Sequence, residues 1–579
     1  MAHKDRKNRE VLDWKSWDVS DLKGKKAVLE IVDDYTGSWG HINVDQIVQS
    51  DTPRKPVFKP DYSSPVPKFT FAGTLAEQER QLVGNPLLER FRVSREKMKS
   101  DPHLPLYHFT APENRLNDPN GLSFWKGKWH MFYQGYPPEY PRQHWGHAIS
   151  DDLIHWRDLP YAIYPNPEQS CYSGSALVED DRVIAMYHGT KVGSMVAVSD
   201  DPLLLNWEKL TGESVIPFPK AGKTLPYAIF DPFVWKKGDF YYALTAGWRN
   251  EGPGGKRVRK EWLHRSTDLV NWDYLHPFLE DDLYGLIGDD GACPYFWPIG
   301  SKHILLHFSH MTGAKYMLGD YDTERDKFVV TDGGDFNFGP YGPSGLHAPS
   351  ATPDGKGGVI AIFNMNDGKR HEGWNGIMSL PWRLSLDEDD EIAPLRIEPA
   401  GDLESLRYGH QRVEGMDLPA NEEIVFDNIK GNAMEIVAEI DCSSSQMLEL
   451  TVLRSPNGEE STRILFFPNR GYPCREYTDK RSKNRYSIVS IDTSRSSILP
   501  DAKSRAPESA PVYLEKGETL KLHVFIDKSV VEVFVNGKQC VSVRVFPGRE
   551  DSVGVSLRSQ GKPATLKSLD AWQMKGIYE

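Results

Sequence analysis

Two aspartates stand ahead of prolines at matching places in a repeated stretch of this chain, Asn117-Asp118-Pro119 and Phe230-Asp231-Pro232. Ala292-Cys293-Pro294 and His347-Ala348-Pro349 share the arrangement. Carboxylates that converge from distant parts of a chain can attack an electrophilic carbon, hold hydroxyl groups or stabilise developing charge. A single Asp-Pro is an ordinary turn starter, because proline presets the turn and aspartate bonds its own backbone. Two at equivalent positions of a repeat point to a shared site. Asp118 and Asp231 are therefore expected to face each other across one cavity.

The elements that would position them are read from the repeat. Five segments begin at Pro119, Ser173, Pro232, Pro294 and Pro349, spaced 54, 59, 62 and 55 residues apart. Each runs from an apolar strand through a Gly- or Asp-containing turn into a second apolar-aromatic strand, the pattern of a β-hairpin. Between them recur SDDLIHW (Ser150 to Trp156), SDDPLLLNW (Ser199 to Trp207) and STDLVNW (Ser266 to Trp272), each closing a unit with a turn and an anchoring Trp. Two hairpins per unit at this period predict the four-stranded blades of a five-bladed β-propeller. The innermost strand of each blade then lines a central channel, and the residues just before those strands meet at one mouth.

ENRLNDPNG, FYQ (Phe132 to Gln134), WGHAISDDLIHW and YSGSA (Tyr172 to Ala176) resemble the pattern of glycoside hydrolase family 32, which contains invertases, inulinases and levanases. FIDKSVVEVFVNGKQCVSVRVFP (Phe525 to Pro547) resembles the signature of that family's C-terminal β-sandwich, so the resemblance covers about 103 to 579. It implies an all-β chain, propeller then sandwich, and a retaining hydrolase of a fructofuranoside. Asp118 would be the nucleophile that forms a covalent glycosyl-enzyme. Asp231 would stabilise the transition state by holding sugar hydroxyls. Asn117, Gln134, Trp145, Ser173, Phe230 and His347 would surround the sugar.

The sequence departs from the family's pattern at two places. The family's Glu-Cys-Pro, whose Glu is the general acid, is here Ala292-Cys293-Pro294, and its Arg-Asp-Pro is Phe230-Asp231-Pro232. A methyl group donates no proton, and a positioned acid is typically worth about 10²–10⁴ in rate. Ala292 fits an engineered removal of Glu, a natural divergence with another acid and another furanoside, or a sugar-binding pseudoenzyme. The engineered change leaves Phe230 unexplained, which tilts the balance toward divergence. Candidate replacement acids are His347, Asp289 and Asp290. Their plainer roles are a hydrogen-bonded rim residue for His347 and a solvated turn for the aspartates.

Bulk properties narrow the partners. The chain has 579 residues, 69 basic against 82 acidic, without a basic stripe, which argues against nucleic acid or an anionic membrane as partner. No apolar run is long enough to span a bilayer. The opening MAHKDRKNREVLDW lacks the apolar core of a signal peptide, leaving open a chain that stays in the cell or one whose leader was replaced. Five scattered cysteines without a CxxC pair suggest neither disulfides nor zinc, and no cofactor is expected. The expected partner is an oligosaccharide or glycoside substrate; the oligomeric state is left open. Expected domains are an N-terminal β segment (1–60, three strands resembling the end of a jelly roll, with Trp39 more suited to packing than to sugar), a Pro-rich linker and helix (61–102), the propeller (103–400), and a linker and sandwich (401–579). The last carries Asp527 and Glu532, to which a structural role is assigned.

Overall fold

The computed structural model describes residues 14–32, 44–54, 61–218, 225–474 and 485–578. They fall into two compact units, 1–62 and 63–579. In the first unit the described residues contain no strand, only a short 3-10 turn at Ser20–Leu22 and a stack of Arg54 on Trp14. The three expected strands are therefore not found there, and Trp39 lies outside the described residues. Val28 and Ile31 are exposed. Among the described residues their alternation has no neighbouring strand to satisfy its backbone, and alternation without a ladder does not make a sheet.

The second unit opens with an arm whose Val66 and Phe71 are buried against the first blade and against two helices, Leu75–Leu82 and Pro86–Met98. The single expected helical stretch is thus broken in two. Gly84 turns the chain at φ 74°, and Asn85 caps the second helix by accepting from the N–H groups of Leu87 (3.0 Å) and Leu88 (3.4 Å), with Pro86 at its first position. Among the described residues no helix is long and apolar enough to cross a membrane.

Five sheets follow, and their innermost strands are Asn114–Trp125, Cys171–Val178, Pro232–Lys237, Ala292–Ile299 and Leu346–Pro353. Each innermost strand touches those of both neighbouring blades, so the five close into a ring. Within each blade antiparallel neighbours run outward, as in the first: Asn114–Trp125, Lys128–Gly135, His144–Ser150, Trp156–Ile163. The first hairpin turns on Lys126 (φ 44°) and Gly127 (φ 83°), two positive values that match the twist of the strands. The SDD and STD motifs close their units as expected. Asp152 and Asp268 each accept two successive backbone N–H groups, and the next residue in each motif, Leu153 or Leu269, is buried with φ near 70°.

Four of the innermost strands carry a register shift near their start: between Leu116 and Pro119, Cys171 and Gly174, Ala292 and Tyr295, and Leu346 and Pro349. Proline has no N–H for the ladder, so three of these irregularities fall where the sequence forbids regular pairing. Below them the ring is stitched by fully buried hydroxyls. Tyr295 Oη donates to the Gly174 carbonyl (2.8 Å), accepts from the Gly121 N–H (3.1 Å) and pairs with Ser350 Oγ (2.8 Å), joining four blades through one side chain.

Residues 407–574 form two six-stranded antiparallel sheets around a second apolar core. Asp527 and Glu532 hold this sandwich to the propeller. Asp527 accepts from the backbone N–H groups of Leu106, Tyr107 and His108 (2.7–2.9 Å). Glu532 accepts from the Leu380 N–H (2.8 Å) and Trp382 Nε1 (3.0 Å) in the fifth blade. His108 lies between them, Nδ1 2.9 Å from Asp527 and Nε2 3.1 Å from Glu532, all three without exposed side-chain surface. Burial works against a charged imidazole, but the bonds and charges of the two carboxylates outweigh it and raise His108 to about 9. His108→Ala would strand two buried carboxylates, and breaking such a pair costs about 3–5 kcal/mol. Because the folded pKa lies above the unfolded value near 6.5, the contribution of His108 is complete below that pH and is lost as pH rises through about 9. Urea unfolding across pH 6 to 9.5 should show wild-type stability falling toward the variant's; parallel curves would contradict the latch.

Candidate active site

At one mouth of the ring the irregular starts of the innermost strands bring Asp118, Ser173, Asp231, Cys293 and His347 together. Asp118 Oδ2 accepts from Ser173 Oγ (2.6 Å) and Gln134 Nε2 (3.1 Å), and Gln134 also donates to Ser173 (2.6 Å). Oδ1 makes no hydrogen bond and faces His347 Nδ1 at 3.5 Å. Cys293, at φ 50°, presents its N–H to Asp231 Oδ2 (3.3 Å). Its Sγ lies 3.5 Å from Asp231 and 3.8 Å from Asp118, so one thiol links the two carboxylates. A left-handed conformation costs a residue with a side chain roughly 1–2 kcal/mol, which this paired contact helps to offset.

The two acids are driven apart in pKa. For Asp118, burial opposes ionisation, but contact with His347 and Ser173 outweighs it and holds the group below the usual carboxylate range. For Asp231, burial and then the charge of Asp118 push the pKa up to about 7. At mildly acidic pH, therefore, one member is ionised and the other carries a proton.

Asn117 is half-buried beside Asp118, and Phe230 is half-buried beside Asp231. Trp145 does not line the cavity: it is fully buried between Phe132 and Tyr187, and its indole N–H is spent on the Tyr172 carbonyl (2.9 Å). It props the wall from behind. Ala292 has no exposed surface and packs in an apolar cluster with Cys293, Phe308, Ala348 and Phe230. His347 is enclosed by Phe308 and Tyr341, and its Nδ1 meets Asn364 Nδ2 at 3.3 Å. Asp289 is fully buried and accepts the Leu286 N–H (2.8 Å), whereas Asp290 is buried against His310. The aspartates are thus not the solvated turn their sequence suggests.

His188, whose Nδ1 is 3.9 Å from Asp231 and whose ring meets Phe230 edge-on, is not among the site residues singled out in the sequence. Burial lowers its pKa to about 4, so it is neutral at physiological pH. Beside it opens a cavity of about 640 Å³ with Tyr172, Arg142, Lys191 and Phe218 in its walls. Trp248 and Tyr341 add partly exposed rings at the mouth. One set of potential metal ligands occurs among the described residues, Asp101, His103 and His371, with ligand atoms within 4.8 Å of one another. Asp101 already accepts from His371 (2.9 Å), Trp374 (3.0 Å) and the His103 N–H (2.9 Å), and His103 Nε2 meets the Pro547 carbonyl, so the set reads as a hydrogen-bonded knot.

Residues 108–396 match the glycosyl hydrolases family 32 N-terminal domain, and residues 402–573 match the family's C-terminal domain. The chain belongs to this family. A sucrose-6-phosphate hydrolase of Zymomonas mobilis is 28% identical over 534 residues, covering 83% of this chain and 94% of its own. A levanase of Bacillus subtilis is 27% identical over 515 residues, covering 83% and 71%. The structure of fructan 1-exohydrolase IIa from Cichorium intybus, in complex with 1-kestose, aligns with a TM-score of 0.70 at 22% identity over 82% of this chain and 98% of that one, a likeness of fold. As a family 32 chain this protein is a glycosidase of the propeller-and-sandwich type.

The split between its two acids can be measured. Asp118→Asn removes the like charge but not the burial, so the pKa of Asp231 should fall below about 7 yet stay above the usual range. Carboxyl ¹³C shifts followed with pH would report it. An unmoved Asp231 would mean that the two carboxylates do not share a field.

Proposed function

We propose that this protein hydrolyses a furanoside of the β-fructofuranoside type with retention of configuration. Asp118 attacks the anomeric carbon, and water then resolves the glycosyl ester. The observation that carries this reading is the state of Asp118: one oxygen is pinned by Gln134 and Ser173, the other makes no hydrogen bond, and the group is held ionised. Asp231 and Asn117 are placed to engage ring hydroxyls, and the rings of Phe230, Trp248 and Tyr341 offer apolar faces to a sugar. Residues 103–400 would carry the chemistry, with 401–579 as scaffold.

No carboxyl acid stands at residue 292. Ala292 and Phe230 belong to one apolar cluster, so the two departures from the family's pattern touch one another. A lone Glu→Ala change would leave Phe230 unexplained. This contact supports a natural divergence and a furanoside whose hydroxyls need no Arg. The same absence favours a second reading, a sugar-binding pseudoenzyme.

Turnover of a panel of fructofuranosides and other furanosides by the wild type and by Asp118→Asn separates the two. The hydrolase reading expects turnover of at least one, lost by about 10⁴-fold or more in Asp118→Asn, with sugar binding and the unfolding midpoint kept. Binding without turnover of any substrate would establish the pseudoenzyme.

A further inference from the structure

His310 and Asp290 form a polar pair on the same mouth that the reading above leaves without a role. His310 directly follows the strand Lys302–Ser309, in which Phe308 pairs with Ala292 across the sheet. Its ring contacts identify where it points: 4.7 Å from Phe308, 6.0 Å from His347 and 6.2 Å from Phe230, centroid to centroid. The imidazole therefore stands over the apolar cluster that contains Ala292. Asp290, almost fully buried, grips it twice, accepting the backbone N–H (3.3 Å) and Nδ1 (2.8 Å). That bond fixes the proton on Nδ1 and turns Nε2 away from the carboxylate. The side chain is 46% exposed, and no hydrogen bond from the described residues engages Nε2.

We propose that His310, oriented by Asp290, is the proton donor that replaces the missing acid at residue 292. This rests on the hydrolase reading of Asp118. As Asp118 forms its bond to the anomeric carbon, the bond from that carbon to the leaving oxygen breaks. The oxygen keeps the electron pair and takes the Nε2 proton. In the second half-reaction neutral His310 removes a proton from water while the water oxygen attacks the same carbon, and the ester electrons return to Asp118. Net consumption is one water, and His310 ends protonated again.

The surroundings suit this cycle. Burial works against the charged ring, but Asp290 and, from the facing blades, Asp231 and Asp118 outweigh it and raise the pKa above the usual value. The other titratable group facing it is His347. A histidine so placed is shifted toward its protonated form and is exposed enough to meet a substrate. Neither enclosed His347 nor fully buried Asp289 shares that exposure.

The test uses the full chain with methyl β-D-fructofuranoside, whose alkoxide needs a proton, and 4-nitrophenyl β-D-fructofuranoside, whose leaving group does not. His310→Gln should lose about 10²–10⁴ in kcat on the methyl glycoside and under about tenfold in the cleavage step of the aryl one. The alkaline limb of the wild-type pH profile should vanish in His310→Gln. In Asp290→Asn, a positioning variant, it should move to lower pH. His310 is a surface side chain, and matching unfolding midpoints exclude misfolding as the cause. Methyl-glycoside turnover within about threefold of wild type, equal losses on both substrates, or an unchanged alkaline limb would each overturn the proposal. Turnover that Asp118→Asn leaves intact would instead overturn the hydrolase reading, and this proposal with it.

Discussion

Proline cannot donate a hydrogen bond into a β-ladder, and this fold puts that defect to use. Three of the five innermost strands carry a proline where their pairing register slips, and a fourth strand begins on one. At each slip the backbone leaves its regular path and re-aims the preceding side chain toward the axis. Asp118 and Cys293 reach the mouth this way, while His347 and Ser173 lie within the slips of the fifth and second blades. The ring beneath, stitched by Tyr295 and Ser350, fixes these irregular ends against one another. Without the slips the same residues would alternate between blade interfaces.

Two pairs of acids in this protein show how surroundings decide the use of a carboxylate. Asp527 and Glu532 are buried with full complements of donors and a shared imidazole, so their charge is consumed in holding two domains together. Asp118 and Asp231 are buried with incomplete complements and one thiol between them, so one keeps its charge and the other gains a proton. The first arrangement stabilises, whereas the second keeps two carboxylates in different protonation states. Ala292 and Phe230 put apolar side chains beside this second pair, where Glu and Arg would have supplied polar groups. Chemistry that needed those groups must find them elsewhere on the rim or do without.

The blades were legible because each signal has a local cause: alternating apolar residues, a turn that accepts positive φ, an Asp that caps its own backbone. The carboxylate pair was legible because Asp-Pro stands at the start of the innermost strand in two blades. Trp145 was misread, since a motif position says nothing of which side of a wall a ring occupies. The expected N-terminal strands do not appear among the described residues, and a strand depends on a partner that local sequence does not name. His188 and His310 lie at or just past the ends of second strands, and so do Gln134 and Asn364. In an antiparallel hairpin the end of the second strand returns beside the start of the first. Reading those ends alongside the X-Pro positions would have found them; the Phe308 pairing that sets His310 over Ala292 required the structure.

The bond proposed between Asp118 and the sugar can be trapped directly. A nitrophenyl leaving group accelerates that first step relative to hydrolysis of the ester, so the intermediate should accumulate. The protein mixed with 4-nitrophenyl β-D-fructofuranoside, quenched in acid within milliseconds to seconds and mapped by mass spectrometry, should carry one hexosyl group on the peptide containing Asp118. Its rise should match a burst of nitrophenol. Nitrophenol released by the enzyme with no adduct at any time, or an adduct on another residue, would contradict the account.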